Sequence, residues 1–231
     1  YKIMAKNEVN AQEAVVAEAV GRTETFFENN GKKVVIALVV IVLLVAAGYA
    51  YKKLVIDRNA ERASELIVEA QYNFEGETPD YALALNGDDN AAGFLSVIEQ
   101  YGSTPAGNLA KHYAGVCYLR LGDKENAAKY LAEYKDVAGI PAAIVNAQNY
   151  GLRGDIAVDN GNYDEAVKFY KKAVAASDNN FTAPMFLYKQ GLALIALDKT
   201  ADAVKCLERI SAEYPAAVEA RDAEKLLGSM E

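Results

Sequence analysis

The chain has 231 residues, 52% of them apolar, with no Trp and a formal net charge of -8. Residues 1–33 carry five bases and five acids, whereas residues 57–231 carry 17 bases and 27 acids, a net of -10. That acidic bulk argues against nucleic acid or anionic lipid as a partner, and a single His leaves little for metal clusters or His-based catalysis.

Tyr1, Lys2 and Ile3 precede Met4 and are set aside from the fold reading. Over residues 8–28, Val9, Val16, Val20, Thr23 and Phe27 recur near helical spacing, with Phe26 beside them. This predicts an amphipathic helix. Its polar face holds Glu8, Glu13, Glu18, Glu24 and Glu28 against Arg22 alone, whereas a helix lying on lipid carries a basic face. Two readings stay open: the face docks on a protein, or the segment is a weakly ordered tail with Phe26 and Phe27 at the membrane interface. Asn29-Asn30-Gly31 predicts a helix stop with a left-handed Gly cap.

Val34 to Tyr51 is a run of 18 residues without charge, Pro, Asn or Gln. At 1.5 Å per residue it spans roughly 27 Å, close to the hydrocarbon thickness of a bilayer. Lys32-Lys33 and Lys52-Lys53 close its ends, and Tyr49 and Tyr51 lie where amphipathic rings favour the interface. It has no polar face, unlike the core helix of a soluble domain. Gly48-Tyr49-Ala50 resembles a cleavage site, but the long, half-acidic stretch before the run favours an uncleaved anchor. Three bases flank the N-terminal side and four the C-terminal side. By one charge, the positive-inside rule leans toward a cytoplasmic C-terminal domain.

Beyond the span, Ala60, Ala63, Ile67, Ala70 and Phe74 form an apolar seam at 3–4 spacing, with no Pro or Gly from Lys52 to Glu75. The membrane helix is expected to run on into this one unbroken. The seam is free to pack on the chain's own repeats or on a second copy. A loop is expected at 75–89.

A repeat follows. Gly115, Gly154 and Gly191 align; twelve residues on come Ala127, Ala166 and Ala203, and four further on Leu131, Tyr170 and Leu207. Gly122, Gly161 and Asp198 fall between the paired helices. Pro105, Pro141, Pro184 and Pro215 are expected to open helices, in the first turn that proline tolerates. The small residue lets the second helix approach, the Ala fits that gap, and the larger residue fills space toward the next hairpin. One hairpin cannot bury its own face, so hairpins stack.

Over residues 105–221 these spacings resemble the tetratricopeptide repeat. The departures are a period of 39 and then 37, Lys111, Tyr150 and Leu187 at the early Trp position, and Ala157 where an aromatic is usual. Longer helices or looser turns are therefore expected. The expected fold is all-α: residues 1–31 an N-terminal segment with the amphipathic helix, 32–53 a transmembrane anchor, 54–104 a connecting helix, loop and first hairpin, and 105–231 the solenoid. Cys117 and Cys206 fall two repeats apart, too far for a disulfide.

No catalytic constellation, cofactor motif or metal site emerges. NGDDN at 86–90 lacks the spaced ligands of a calcium loop. Binding remains. The face built by the first helix of each hairpin would present Leu109, His112, Val116, Leu119, Asp155, Val158, Asp159, Tyr188, Leu192 and Ile195. It lacks the Lys and Asn set with which some tetratricopeptide domains hold a terminal carboxylate. Its apolar and acidic mix suits a folded partner or an extended apolar segment.

The whole order, with FFENNGKK abutting the span, resembles the ancillary Sec translocon subunits of the YfgM type. That resemblance implies a bacterial inner-membrane protein with a single span, a cytoplasmic N-terminus and a periplasmic solenoid. It implies protein partners: Sec translocon subunits, a membrane-anchored periplasmic chaperone of the prolyl-isomerase type, and translocated clients. Homo-oligomers stay open.

Overall fold

A computed structural model of the chain describes the backbone of residues 2–230; within the first helix it describes side chains at 21, 24 and from 28 onward. The chain divides into two units, Tyr1–Arg58 and Asn59–Glu231. The fold is all-α; among the described residues the only β feature is an isolated bridge between Gly87 and Ala92.

In the first unit, α1 runs from Lys2 to Tyr51 and is followed by a π-helical stretch, Lys52–Asp57. The expected stop at Asn29-Asn30-Gly31 is absent, and Gly31 does not adopt a left-handed φ. Helical Gly costs only about 1 kcal/mol. Ending the helix would leave four carbonyls, and restarting it four N–H groups, without intrahelical partners. The side chains of the expected amphipathic face, Phe26 and Phe27 among them, lie outside the described residues. The apolar run is not buried within the protein, and the helix Glu28–Glu75 that contains it is long and apolar enough to cross a membrane.

Helical backbone continues beyond the run as α2, Arg58–Glu75. The expected continuity holds, except that the π-helical stretch intervenes. Ala63, Ile67 and Ala70 of the α2 seam are buried with Ala84, Leu85, Phe94 and Val97. Phe74 meets Tyr81, Phe94 and Tyr113 edge-on at ring-centroid distances of 5.6, 6.0 and 5.0 Å. The seam thus packs on the chain's own hairpins. The expected loop holds a short helix, α3 (Tyr81–Asn86), because Asp80 Oδ1 accepts the Leu83 N–H at 2.9 Å and caps it. Asp88 Oδ1 accepts the N–H groups of Asn90 and Ala91, both at 2.8 Å.

After α4 (Phe94–Tyr101) come three hairpins and a closing helix. The hairpins are α5 (Pro105–Arg120) with α6 (Lys124–Glu133), α7 (Ile140–Asp159) with α8 (Tyr163–Ala176), and α9 (Thr182–Ala196) with α10 (Thr200–Glu213). α11 spans Val218–Gly228. All three hairpin turns share one backbone design. Gly122, Gly161 and Asp198 take left-handed φ values of 85°, 74° and 57°. The next N–H reaches back to Tyr118, Ala157 and Leu194 at 2.9, 2.8 and 2.9 Å. This is a Schellman-type helix end.

A Cβ on Gly115 would stand 2.5 Å from Leu131 Cγ, one on Gly154 2.5 Å from Tyr170 Cε1, and one on Gly191 3.2 Å from Leu207 Cδ2. The larger residue of each repeat therefore covers the glycine of its own hairpin rather than only reaching forward. Helical side chains lean toward the N-terminus of their helix, which brings it back over that gap. Tyr170 also stacks on Phe186 of the next hairpin.

Pro105 and Pro141 stand in the first turns of α5 and α7, and Pro184 is the third residue of α9. Pro215 opens no helix. It lies in the turn closed by the Ala217 N–H to the Tyr214 carbonyl at 2.9 Å, where its fixed φ suits the second turn position.

Candidate protein-binding face

The first helices α5, α7 and α9 carry the ten expected residues, and the structure sorts them. His112 is 5% exposed and faces inward. Its Nδ1 lies 3.4 Å from Asn149 Nδ2, and Tyr113 and Tyr134 flank its ring. Burial lowers its pKa from 6.5 to about 4, so the ring is neutral. His112 is thus a packing residue of the junction between the first two hairpins and offers nothing to a partner. Alignment placed it on the face because its position matches Tyr188, which is only half-buried.

Leu109, Val116 and Leu119 are half-buried on α5. Leu109 packs on the core that α2 joins, and Leu119 on the small cluster of Ala127, Leu131 and Ile156. Val158, Tyr188 and Ile195 pack at the edge of the C-terminal core, and Leu192 is 43% exposed. Asp159 is spoken for: Lys124 of α6 pairs with it at 2.6 Å, with both side chains about half exposed.

Asp155, Val158 and Leu192 come together. With Tyr163, Tyr170 and Lys189 they line a recess of about 240 Å³ where α7, α8 and α9 meet. Asp155 is not a free acid there. Lys189 Nζ donates to both carboxylate oxygens at 2.8 Å, and Tyr170 Oη donates to Oδ1 at 2.8 Å. Burial and the Asp155 charge raise the Tyr170 pKa, so the phenol keeps its proton and donates. The recess therefore has apolar walls around a charge-paired floor. It can receive an apolar side chain, and it offers no proton relay.

Sequence alignment missed Lys189, which lies 34 residues from Asp155. The available signal was the spacing itself, because Lys189 falls one turn before the face position Leu192. A wider, open hollow of about 730 Å³ at the α7–α8 and α9–α10 tips is lined by Asp164, Lys168, Phe169 and Lys172, among others. It contains none of the expected residues. Among the described residues no three His, Cys, Asp or Glu are grouped to hold a metal. Cys117 and Cys206 are both free and buried.

Hairpins with a glycine on the first helix, an Ala twelve residues on and a left-handed turn between them match a known repeat. Family models described as tetratricopeptide repeat cover residues 147–180, and residues 110–137 and 186–217. These hairpins are tetratricopeptide repeats. The matched windows fall on the three pairs α5–α6, α7–α8 and α9–α10 and together cover less than half of the chain. No curated protein matches the chain. As in other tetratricopeptide domains, whose general work is protein–protein interaction, the reading is a scaffold that binds proteins. The longer period has a visible source: α7 has 20 residues, and six residues separate α6 from α7.

Proposed function

We propose that this protein is a membrane-anchored, non-enzymatic scaffold that gathers proteins at a bacterial inner membrane, as an accessory of the Sec translocon and of periplasmic chaperones. One observation carries the reading: a single chain joins an unburied apolar helix to stacked tetratricopeptide hairpins. Residues 32–53 are the anchor and 105–231 the binding solenoid, joined by 54–104. The first-helix face takes an apolar segment of a translocated client or a folded partner, with the recess at Val158 and Leu192 as one subsite. Tethering raises the effective concentration of the solenoid near a membrane partner without new contacts. The Sec assignment, the prolyl-isomerase-type chaperone and the periplasmic placement of the solenoid rest on the FFENNGKK junction and the order of segments. Phe26 and Phe27 are the docking edge or interfacial anchor of that junction.

Co-purification from detergent, with and without residues 57–231, tests it. Translocon or chaperone subunits should appear with the full chain; their absence from both samples rejects the Sec assignment. A second reading, a cytosol-facing tetratricopeptide receptor or assembly factor, is favoured by the extra base after the span. Protease added to intact spheroplasts separates the two: a periplasmic solenoid is digested, a cytoplasmic one survives.

A further inference from the structure

The junction between α6 and α7 is built differently from the next junction along the solenoid. Between α8 and α9 the buried core runs on without a break: Phe186 covers Gly151 and stacks on Tyr170, and the Asp155–Lys189 pair lies at the half-exposed edge of that core. Between α6 and α7 the core divides. The buried cluster that ends at Cys117 and the one that begins at Ala147 are separate, with a small apolar cluster of Ala127, Leu131 and Ile156 between them.

Polar side chains occupy the gap. His112, Asn146 and Asn149 are all buried there. Tyr134 Oη donates to Asn146 Oδ1 at 2.7 Å, and Tyr150 Oη donates to Asp136 Oδ2 at 2.7 Å.

The extended connecting segment, residues 134–139, is held by two asparagines. The Lys135 N–H donates to Asn108 Oδ1 at 2.9 Å, and Asn108 Nδ2 donates back to the Lys135 carbonyl at 2.8 Å. Two residues on, the Val137 N–H donates to Asn146 Oδ1 at 3.2 Å, and Asn146 Nδ2 donates to the Val137 carbonyl at 2.9 Å. A side-chain amide carries the same donor–acceptor pair as a peptide group. Each Asn therefore stands in for one residue of a neighbouring strand, and alternate residues of an extended chain present their backbone pair to one side. Asn108 belongs to α5, before the junction, and Asn146 to α7, after it. In the α8–α9 connection no side chain clasps a backbone pair from a distant helix: Asn179 Oδ1 caps the Phe181 and Thr182 N–H groups, Thr182 Oγ1 donates to the Ser177 carbonyl, and the Asp178 carboxylate accepts from Arg209 and Tyr214 at the end of α10.

We propose that the extended connection at 134–139 is a latch. Asn108 and Asn146 clasp it and thereby hold the hairpins on either side at one mutual angle. Releasing the clasp lets the solenoid bend at this junction. A few hydrogen bonds, each traded against bonds to water, hold far less firmly than a continuous apolar interface. Segments held in this way open ahead of the rest of a fold. The face residues Val116 and Leu119 precede the junction and Asp155 and Val158 follow it, so bending here resets the spacing between the two halves of that face.

The test uses the full chain in lipid nanodiscs. Spin labels are attached through Glu99→Cys on α4 and Glu208→Cys on α10, across the junction. A control pair, Glu165→Cys and Glu208→Cys, stays on one side. Cys117 and Cys206 are buried, and their thiols are held protonated by desolvation, so the labels go to the exposed positions. In Asn146→Ala and Asn108→Ala, the cross-junction distance distribution should broaden and move while the control stays as in the parent. Amide exchange at Lys135 and Val137 should rise at least ~10-fold, with the helix interiors unchanged. A cross-junction distribution that is unchanged in both variants overturns the latch. So does equal broadening of the control pair, which means general loosening. Should Asn146→Ala fail to fold, Asn108→Ala, on a half-buried residue, decides by itself.

Discussion

Gly154 and Tyr170 occupy one space. A Cβ on Gly154 would stand 2.5, 2.8 and 3.0 Å from Cε1, Cδ1 and Cζ of the Tyr170 ring. The ring cannot turn aside freely, because its hydroxyl is bonded to Asp155 and its face is stacked on Phe186. Gly154→Ala should destabilise the solenoid by about 1–3 kcal/mol, as overpacking does. Gly191→Ala comes nearest to Leu207 Cδ2 at 3.2 Å, the tip of a flexible side chain, with Leu207 Cγ at 3.4 Å and the Ala203 carbonyl at 3.8 Å in ordinary contact. There the gain of about 1 kcal/mol in helix propensity offsets the crowding, and stability should change little or rise. Urea unfolding of the two variants side by side checks the contrast; equal losses would refute the assignment of Tyr170 as the rigid partner.

Asp198 is the one described non-glycine residue with left-handed φ, at the turn position where the other two repeats carry Gly. Asp198→Gly should raise the melting temperature, by roughly 0.5–1 kcal/mol of stability, and Gly161→Ala should lower it by a similar amount. Thermal unfolding followed by circular dichroism measures both.

His112 makes stability depend on pH. Its folded pKa of about 4 lies below the ordinary 6.5, because burial penalises the charged ring. The unfolded chain binds the proton more readily. Stability is therefore greatest above pH 6.5 and falls as the pH drops toward 4, by at most about 3 kcal/mol. Tyr113 and Tyr134, whose rings flank it, stay neutral across this window, since burial raises both. Asp178, held low by its hydrogen bond from Tyr214 and by Arg209, contributes stability that is lost as the pH falls from its ordinary 3.8 through its lower folded value, below the His112 window. His112→Gln should flatten the melting temperature between pH 6.5 and 4.5 and leave the steeper acid limb in place.

Both cysteines should be silent toward a thiol reagent in the native protein. Burial pushes the Cys117 thiol up to about 12 and raises that of Cys206, and the reactive species is the thiolate. Two thiols should titrate in denaturant without prior reduction. Rapid native labelling of Cys117 would contradict its place in the core.

Leu192 and Val158 wall the recess over the paired Asp155 and Lys189. Leu192→Asp should weaken capture of partners in the co-purification while shifting stability by no more than ~0.5 kcal/mol, as surface substitutions do. Unchanged capture would remove this recess from the binding face.

Much of this protein was legible without coordinates. The 18-residue apolar run, the glycine-to-alanine spacing of the hairpins and the turn positions at Gly122, Gly161 and Asp198 are all local patterns. A period of 3.6 or a required backbone conformation writes itself into neighbouring residues. What crosses from one helix to another was decided only by the tertiary structure. His112 turned inward, Lys189 closed on Asp155, and Asn108 and Asn146 took hold of a connecting segment 27 and 9 residues away in sequence. Asn29-Asn30-Gly31 read as a stop and folded as helix, because the residues on either side outweighed three weak helix formers. Such outcomes depend on which side chains meet once the hairpins stack, and spacing along one helix carries no record of that.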